Sequence, residues 1–105
     1  MNLETKIQNQ IRVALSEAGC IVHRCNTGTM YTRDGRAVKI GEKGHSDLYG
    51  HRPDGMAWYL EIKQPGGYIR PEQIAFIDAM VGSGAIAGIA HSVEEALRIV
   101  MEKEA

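Results

Sequence analysis

The sequence predicts an α/β fold in which helices flank a central mixed β-sheet, and three patterns carry this prediction. Apolar side chains over residues 3–18 recur at spacings of three and four, which is typical of an amphipathic helix. Residues 56–63 alternate apolar and polar side chains, as a strand with one polar face does. Residues 85–90 are wholly apolar, which favours a strand buried on both faces.

The ends of the elements in the first half are marked by capping and turn residues. Asn2 is a suitable N-cap for the first helix, and Gly19 is suited to end it. Residues 20–26, rich in Ile, Val and Cys, are predicted to form a strand. Asp34-Gly35 then separates two short strand-like segments, which predicts a β-hairpin.

The second half is predicted to combine strands and helices. Turn residues at 52–55 join strands over 46–51 and 56–63, Pro71 begins a helix, and Ser92 caps a last one. The predicted inward stripe of the helix after Pro71 is Ile74, Ile77, Met80 and Val81. The expected order is therefore helix, strand, hairpin, two strands, helix, strand, helix.

Length and composition limit the class of protein. The chain has 105 residues, of which 44% are hydrophobic and 24% charged, so we expect one globular domain over residues 1–105. No apolar run approaches the roughly 20 residues that span a bilayer, and no secretion signal opens the chain. We therefore expect a cytoplasmic protein without a membrane partner. Cys20 and Cys25 fit a reducing compartment.

The charge is nearly balanced, at a net −1, but it is unevenly distributed. Residues 23–43 carry five basic side chains and two acidic ones. Such a stretch is usually a solvated loop. It becomes informative about a polyanionic partner only when a catalytic group lies beside it.

The residues that are most informative about chemistry are Asp47, Glu61 and Lys63. Glu61 and Lys63 are two residues apart on a predicted strand, so they share its polar face. Two carboxylates on adjacent strands suit a hard divalent cation, and a neighbouring lysine suits an attacking water or developing negative charge. Taken alone, the same pattern is more often an ordinary solvated strand face with weak ion pairs.

The order Asp47…Glu61-Ile62-Lys63 resembles the signature of the PD-(D/E)xK nuclease superfamily. The wider chain resembles a stand-alone VRR-NUC domain. The elements of that resemblance, in family order, are Glu4 with Gln8, Asn26, Gly44 to Leu48, Leu60 to Gln64, Gly66-Gly67 and Gln73. Ser46 departs from the family, which commonly has proline before the aspartate.

The resemblance implies a restriction-endonuclease-like core that uses Mg²⁺ or Mn²⁺. The implied catalytic set is Glu4, Asp47, Glu61, Lys63 and Gln73. Within it, Asp47 and Glu61 bind the metal together with the Ile62 carbonyl, and Glu4 is a further candidate ligand. Lys63 positions the attacking water, and Gln73 forms a hydrogen bond near Lys63 or the scissile phosphate.

The implied function is a metal-dependent, structure-selective DNA endonuclease, acting as a homodimer that resolves Holliday junctions. The alternatives are a flap or other branched-DNA nuclease and a non-catalytic nucleic-acid-binding module on the same fold. The expected DNA contacts are Arg33, Arg36, Lys39, His45 and Arg70. The hairpin is also expected to contribute to the dimer interface, because it is too small to bury its own apolar side chains.

A zinc site is the competing interpretation of Cys20, His23 and Cys25. Strand geometry weakens this interpretation, because His23 and Cys25 share a face while Cys20 points away. No second Cys/His pair at zinc-finger spacing follows. Buried cysteines that behave as small apolar side chains are the simpler expectation.

Overall fold

The structure, a computed structural model, describes residues 2–25, 28–41 and 43–102, without the side chains of residues 28–30, 39 and 40. Asn26 lies outside the described residues, as does the Lys39 side chain. Within them, the helices are α1 (Leu3–Glu17), α2 (Pro71–Gly82) and α3 (Val93–Met101). The strands are β1 (Ile21–Arg24), β2 (Gly28–Tyr31), β3 (Ala37–Ile40), β4 (Leu48–His51), β5 (Ala57–Ile62) and β6 (Ile86–Ala90). The element order predicted from the sequence is confirmed.

The central sheet is mixed, as expected. Its strand order is β1-β4-β5-β6, with antiparallel pairing up to β5 and a parallel β5–β6 pair. β2 and β3 form a separate antiparallel hairpin in which Tyr31 lies opposite Ala37. The predicted Asp34-Gly35 turn joins them, closed by a hydrogen bond from Gly35 N to Thr32 O.

The predicted caps set the helix ends. The Asn2 side chain accepts a hydrogen bond of 2.8 Å from Thr5 N at the start of α1. The Ser92 hydroxyl accepts one of 3.1 Å from Glu95 N at the start of α3. The carboxylate of Glu95 accepts a bond from the backbone N–H of His91, one residue before the N-cap. The bonds to Thr5 N and Glu95 N each satisfy a donor that the helix itself leaves unpaired.

The hydrophobic core lies between one face of the central sheet and the helices α1 and α3. Its fully buried members include Ile11, Leu15, Leu48, Trp58, Leu60, Ile62 and Val100. The alternation predicted for residues 56–63 is therefore confirmed on this face. Within the described residues, no helix is long and apolar enough to cross a membrane.

Helix α2 packs on the opposite face of the sheet, and its predicted inward stripe is wrong at two of its four positions, since only Ile77 and Met80 are half-buried. Phe76 is its buried side chain and contacts the ring of Tyr59, whereas Ile74 and Val81 are exposed. The helical periodicity identified apolar positions along α2, but it did not predict which side of this short helix faces the sheet. We expected β6 to be fully buried. It has helices on both faces but forms an edge of the sheet, so most of its residues are only half-buried.

Candidate functional site

Asp47 and Glu61 face each other across β4 and β5. Leu48 pairs with Leu60, and the same register continued by one residue places Asp47 opposite Glu61. A hydrogen bond of 2.9 Å from Ile62 N to Asp47 Oδ2 fixes the aspartate side chain to the edge of β5. The backbone of Asp47 is held from the other side, where its carbonyl accepts a bond of 2.9 Å from Cys25 N.

The segment before Asp47 depends on Gly44. Its φ of +88° is in the left-handed region, and a Cβ built there would lie 2.5 Å from Glu72 O. Only glycine therefore lets this loop pack against the start of α2. Ser46, where the family commonly has proline, is buried and donates a hydrogen bond of 2.9 Å to Leu48 O. Its hydroxyl thus ties the turn that proline would otherwise stiffen.

Glu61 is buried, which the sequence did not indicate. Only 3% of the residue is exposed, because α2 covers this part of the face that we expected to be solvated. Its Oε1 accepts a hydrogen bond of 2.9 Å from Gln73 Nε2, while Oε2 is buried without a partner among the described residues. Burial, followed by the negative charge of Asp47, raises the pKa of Glu61 to about 8.

Lys63 and Glu4 act on the same carboxylate from two sides. Lys63 is nearly buried, and its positive charge lowers the pKa of Glu61 against the larger effects that raise it. Glu4 is half-buried in the first turn of α1, and its negative charge is one of the smaller causes that raise this pKa. The structure therefore brings Glu4, Asp47, Glu61 and Lys63 into one electrostatic neighbourhood.

This neighbourhood fits a divalent cation by its donor set. It holds more carboxylates than cationic groups, and one buried carboxylate oxygen of Glu61 has no partner. Within the described residues, no three His, Cys, Asp or Glu side chains are close enough together to hold one ion. Two carboxylates with a backbone carbonyl and waters is a ligand set that Mg²⁺ accepts in proteins.

Gln73 forms a hydrogen bond with Glu61, and the described residues show none between Gln73 and Lys63. Its Oε1 accepts a hydrogen bond of 2.9 Å from Arg70 N, so the side chain is also part of the α2 cap. With both ends of the amide engaged, Gln73 fixes the orientation of Glu61. Arg70 itself is exposed at the start of the helix.

The predicted DNA contacts differ in their surroundings. Arg33 and Arg36 are exposed in the hairpin turn, where Arg36 Nε lies 3.6 Å from Asp34. His45 is half-buried, with its ring centroid 4.6 Å from that of Phe76. Its Nδ1 lies 2.8 Å from Ser46 O, so Nδ1–H donates to that carbonyl and Nε2 is the remaining ring nitrogen.

The zinc interpretation has no support in the described residues. Cys20 is buried in the core, with its Sγ 3.4 Å from Met101 Sδ, while His23 is exposed on the opposite face. Cys20 therefore behaves as an apolar core residue.

A known structure shares this architecture. A solved structure described as a VRR_NUC domain matches with a TM-score of 0.69 and 18% sequence identity, covering 96% of this chain and 97% of that one. The chain has the VRR-NUC fold. The fold resemblance inferred from the motifs is thereby confirmed, whereas comparison of the sequence with protein-family models and curated proteins finds no match.

On this VRR-NUC fold, an aromatic row lies beside the carboxylate pair, and sequence reasoning missed it. His23 pairs with Tyr49, and Tyr49 pairs with Tyr59, on the face that carries Glu61. Tyr49 and Tyr59 alternate with apolar or small residues along their own strands, and His23 lies between Val22 and Arg24, but a single strand gives no sign of which residues lie beside it. Only the register of three strands brings the rings together.

Proposed function

We propose that this chain is a divalent-metal-dependent nuclease that hydrolyses phosphodiester bonds in DNA. The observation that carries the proposal is the pairing of Asp47 with buried Glu61, beside Lys63, on a VRR-NUC fold. The excess negative charge and the unpartnered Glu61 oxygen support a cation at this position.

Each residue has a role that follows from its contacts. Asp47 and Glu61, with the Ile62 carbonyl, would hold Mg²⁺ or Mn²⁺, and Gln73 keeps Glu61 in its orientation. When bound, the cation supplies Lewis-acid polarisation of the phosphate and a water of lowered pKa. Lys63 places a positive charge beside the carboxylates, where it orients the water or stabilises the developing negative charge. Glu4 adds negative charge on the side of α1.

The test is cleavage of plasmid and oligonucleotide DNA with Mg²⁺ or Mn²⁺, and with EDTA. Asp47→Asn, Glu61→Gln and Lys63→Met should each lower the cleavage rate by about 100-fold or more, the usual scale for such groups. The matched controls Asp78→Asn, Glu17→Gln and Lys6→Met change exposed side chains and should cleave normally.

Binding separates a nuclease from a non-catalytic module. Lys63→Met should bind DNA in EDTA within a few-fold of wild type, because its charge is nearly buried. Cleavage that survives EDTA, or that all three site variants retain, would refute the assignment. Binding without cleavage under every metal condition would instead favour the nucleic-acid-binding module.

The finer part of the proposal is a homodimer that resolves four-way junctions. A four-way junction has two-fold symmetry, and two copies related by a two-fold axis would supply two sites at a fixed separation. Tyr31 and Val38 support a role for the hairpin in this interface, since both are exposed apolar side chains on a two-stranded sheet.

A substrate panel and a mass measurement test this part. Light scattering at micromolar concentration should give about twice 11.5 kDa. Four-way junctions should be cut in preference to duplex, single strand, flap and fork. A monomer that cuts flaps and leaves junctions intact would overturn the dimer and favour a flap nuclease.

A further inference from the structure

We propose that the rings of His23 and Tyr49 form a stacking platform for unpaired DNA bases beside the carboxylate pair. This inference rests on the proposed function and names the kind of DNA that the site would engage. The two rings belong to neighbouring strands, with centroids 5.2 Å apart and planes inclined by 34°.

The ring of Tyr49 is held in place on the side of β5, away from His23. Tyr59 lies nearly parallel to it, with an interplanar angle of 15° and a centroid distance of 6.3 Å. His45 meets Tyr49 edge-on at 5.4 Å and is itself packed against Phe76. These contacts restrict the orientation of Tyr49, which in turn lies against the ring of His23 at the exposed end of the row, so a base that stacked on this row would meet a preorganised surface.

The platform lies next to the carboxylate pair on the same face of the sheet. Tyr49 is two residues beyond Asp47, and Tyr59 is two residues before Glu61, so the two rows are separated by about 7 Å. That spacing is comparable to one nucleotide of an extended strand. A strand whose phosphate reached Asp47 and Glu61 would therefore bring a neighbouring base to the aromatic row.

The platform lies on the part of this sheet face that α2 does not cover. Helix α2 covers the β5–β6 side through Phe76, whereas His23 on β1 is exposed and Tyr49 is half-buried. The residues that follow in the next row of this face are Ile21, His51 and Ala57. None of these is acidic, so beyond the carboxylate pair this part of the face does not repel a phosphate backbone.

An unpaired DNA strand is the occupant that fits these features. Aromatic rings bind bases through their π-faces without reading sequence, and they can do so only when the bases are not stacked within a duplex. A protein partner would be expected to need a larger and more continuous apolar surface than two rings provide. The structure therefore favours DNA in which a base next to the cleaved bond can leave the duplex stack, as it can at a branch point.

The test measures stacking without cleavage. The probe is a 12-nucleotide oligo-dT with one central 2-aminopurine, whose fluorescence is quenched when the base stacks, titrated in EDTA. Wild-type protein should quench the probe. His23→Ala and Tyr49→Leu should each weaken its affinity by about tenfold and reduce the quenching. Tyr49→Phe keeps the ring and should behave as wild type.

The controls separate stacking from damage to the fold. Tyr68→Leu removes a tyrosine that is 75% exposed on another segment and should leave quenching unchanged. Binding of a blunt duplex should be unaltered in every variant. Undiminished quenching in both His23→Ala and Tyr49→Leu, or an equal loss of duplex and single-strand affinity, would overturn the platform.

The outcome for the platform is independent of the outcome for cleavage. Quenching that depends on His23 and Tyr49, without any cleavage in Mg²⁺ or Mn²⁺, would uphold the platform and refute the nuclease. Metal-dependent cleavage with undiminished quenching in both variants would do the reverse.

Discussion

At the scale of single residues, Glu61 combines burial with a nearby like charge. Both effects favour its protonated form, and they raise its pKa to about 8 from a usual value of 4.5. Lys63 opposes them but does not cancel them. The ionised form of a carboxyl group held in this way destabilises the folded protein, which is the cost expected of the cation site proposed above.

This cost predicts a pH-dependent gain in stability for Glu61→Gln. Between pH 4.5 and about 8 the folded state retains the Glu61 proton while the unfolded state releases it, so wild-type stability falls as pH rises through this window. Gln has no such proton. In EDTA the variant should match wild type near pH 4.5 and exceed it by about 1–3 kcal/mol at pH 8.5.

Urea unfolding at the two pH values measures the difference. Glu17→Gln is the control, because it removes an exposed carboxylate, and it should follow the wild-type pH dependence. Equal stability of Glu61→Gln and wild type at both pH values would show that the Glu61 pKa is not raised.

At the scale of elements, the approach of β1 to β4 depends on Gly50. A Cβ at this position would lie 1.8 Å from Ile21 O and 3.1 Å from a ring carbon of Trp58. Gly50→Ala should therefore force β1 away from β4 and cost about 3 kcal/mol or more in the free energy of unfolding. It should also disturb the His23–Tyr49 pair, which lies one residue along the same ladder.

The matched control is Gly82→Ala, at the last residue of α2. A Cβ there meets no atom within 4 Å, and alanine is the better helix former, so stability should be unchanged or slightly higher. Chemical denaturation of both variants makes the comparison. A Gly50→Ala protein as stable as wild type would refute the close approach of the two strands.

Local signals predicted most of the elements, because caps and alternation act within a few residues. Asn2, Ser92 and Pro71 mark helix starts in the structure as they do in the sequence. Burial of Glu61 and exposure of Ile74 could not be predicted in this way. Both depend on how α2 lies across the sheet, which is decided by contacts between distant segments.

The candidate site, like the fold, was predictable only as far as local sequence signals reach. The motif order indicated that Asp47, Glu61 and Lys63 would converge, since their spacing suits adjacent strands. It did not indicate that Gln73 would contact Glu61, or that His23 and Tyr49 would form a row beside the carboxylates. Those contacts depend on the register between strands, and the register cannot be read from a single sequence because it is set by pairing between distant segments.

At the scale of the whole molecule, the two faces of the sheet carry different kinds of residue. One face, with α1 and α3, holds the apolar core, and the other carries the carboxylate pair, the aromatic row and α2. Substitutions on the second face can therefore alter the proposed site with little loss of core packing. The nearly neutral net charge means that affinity for a polyanion has to come from local basic groups.

The hairpin turn is the part of the molecule that we expect to supply this affinity. Arg33 and Arg36 are exposed, and the contact of Arg36 with Asp34 joins two largely exposed side chains, so it is weak and easily exchanged for a phosphate.

Replacing Arg33, Arg36 and Lys39 together by Gln should weaken duplex binding in EDTA and reduce the slope of log affinity against log salt by up to about 3. The control replaces the exposed Lys6, Arg12 and Arg98 by Gln, which changes the net charge equally and should leave the slope nearly unchanged. Fluorescence anisotropy between about 50 and 200 mM salt measures both. An unchanged slope in the hairpin variant would show that the hairpin is only a solvated loop, and an equal reduction in both variants would show that net charge, not the hairpin, determines binding.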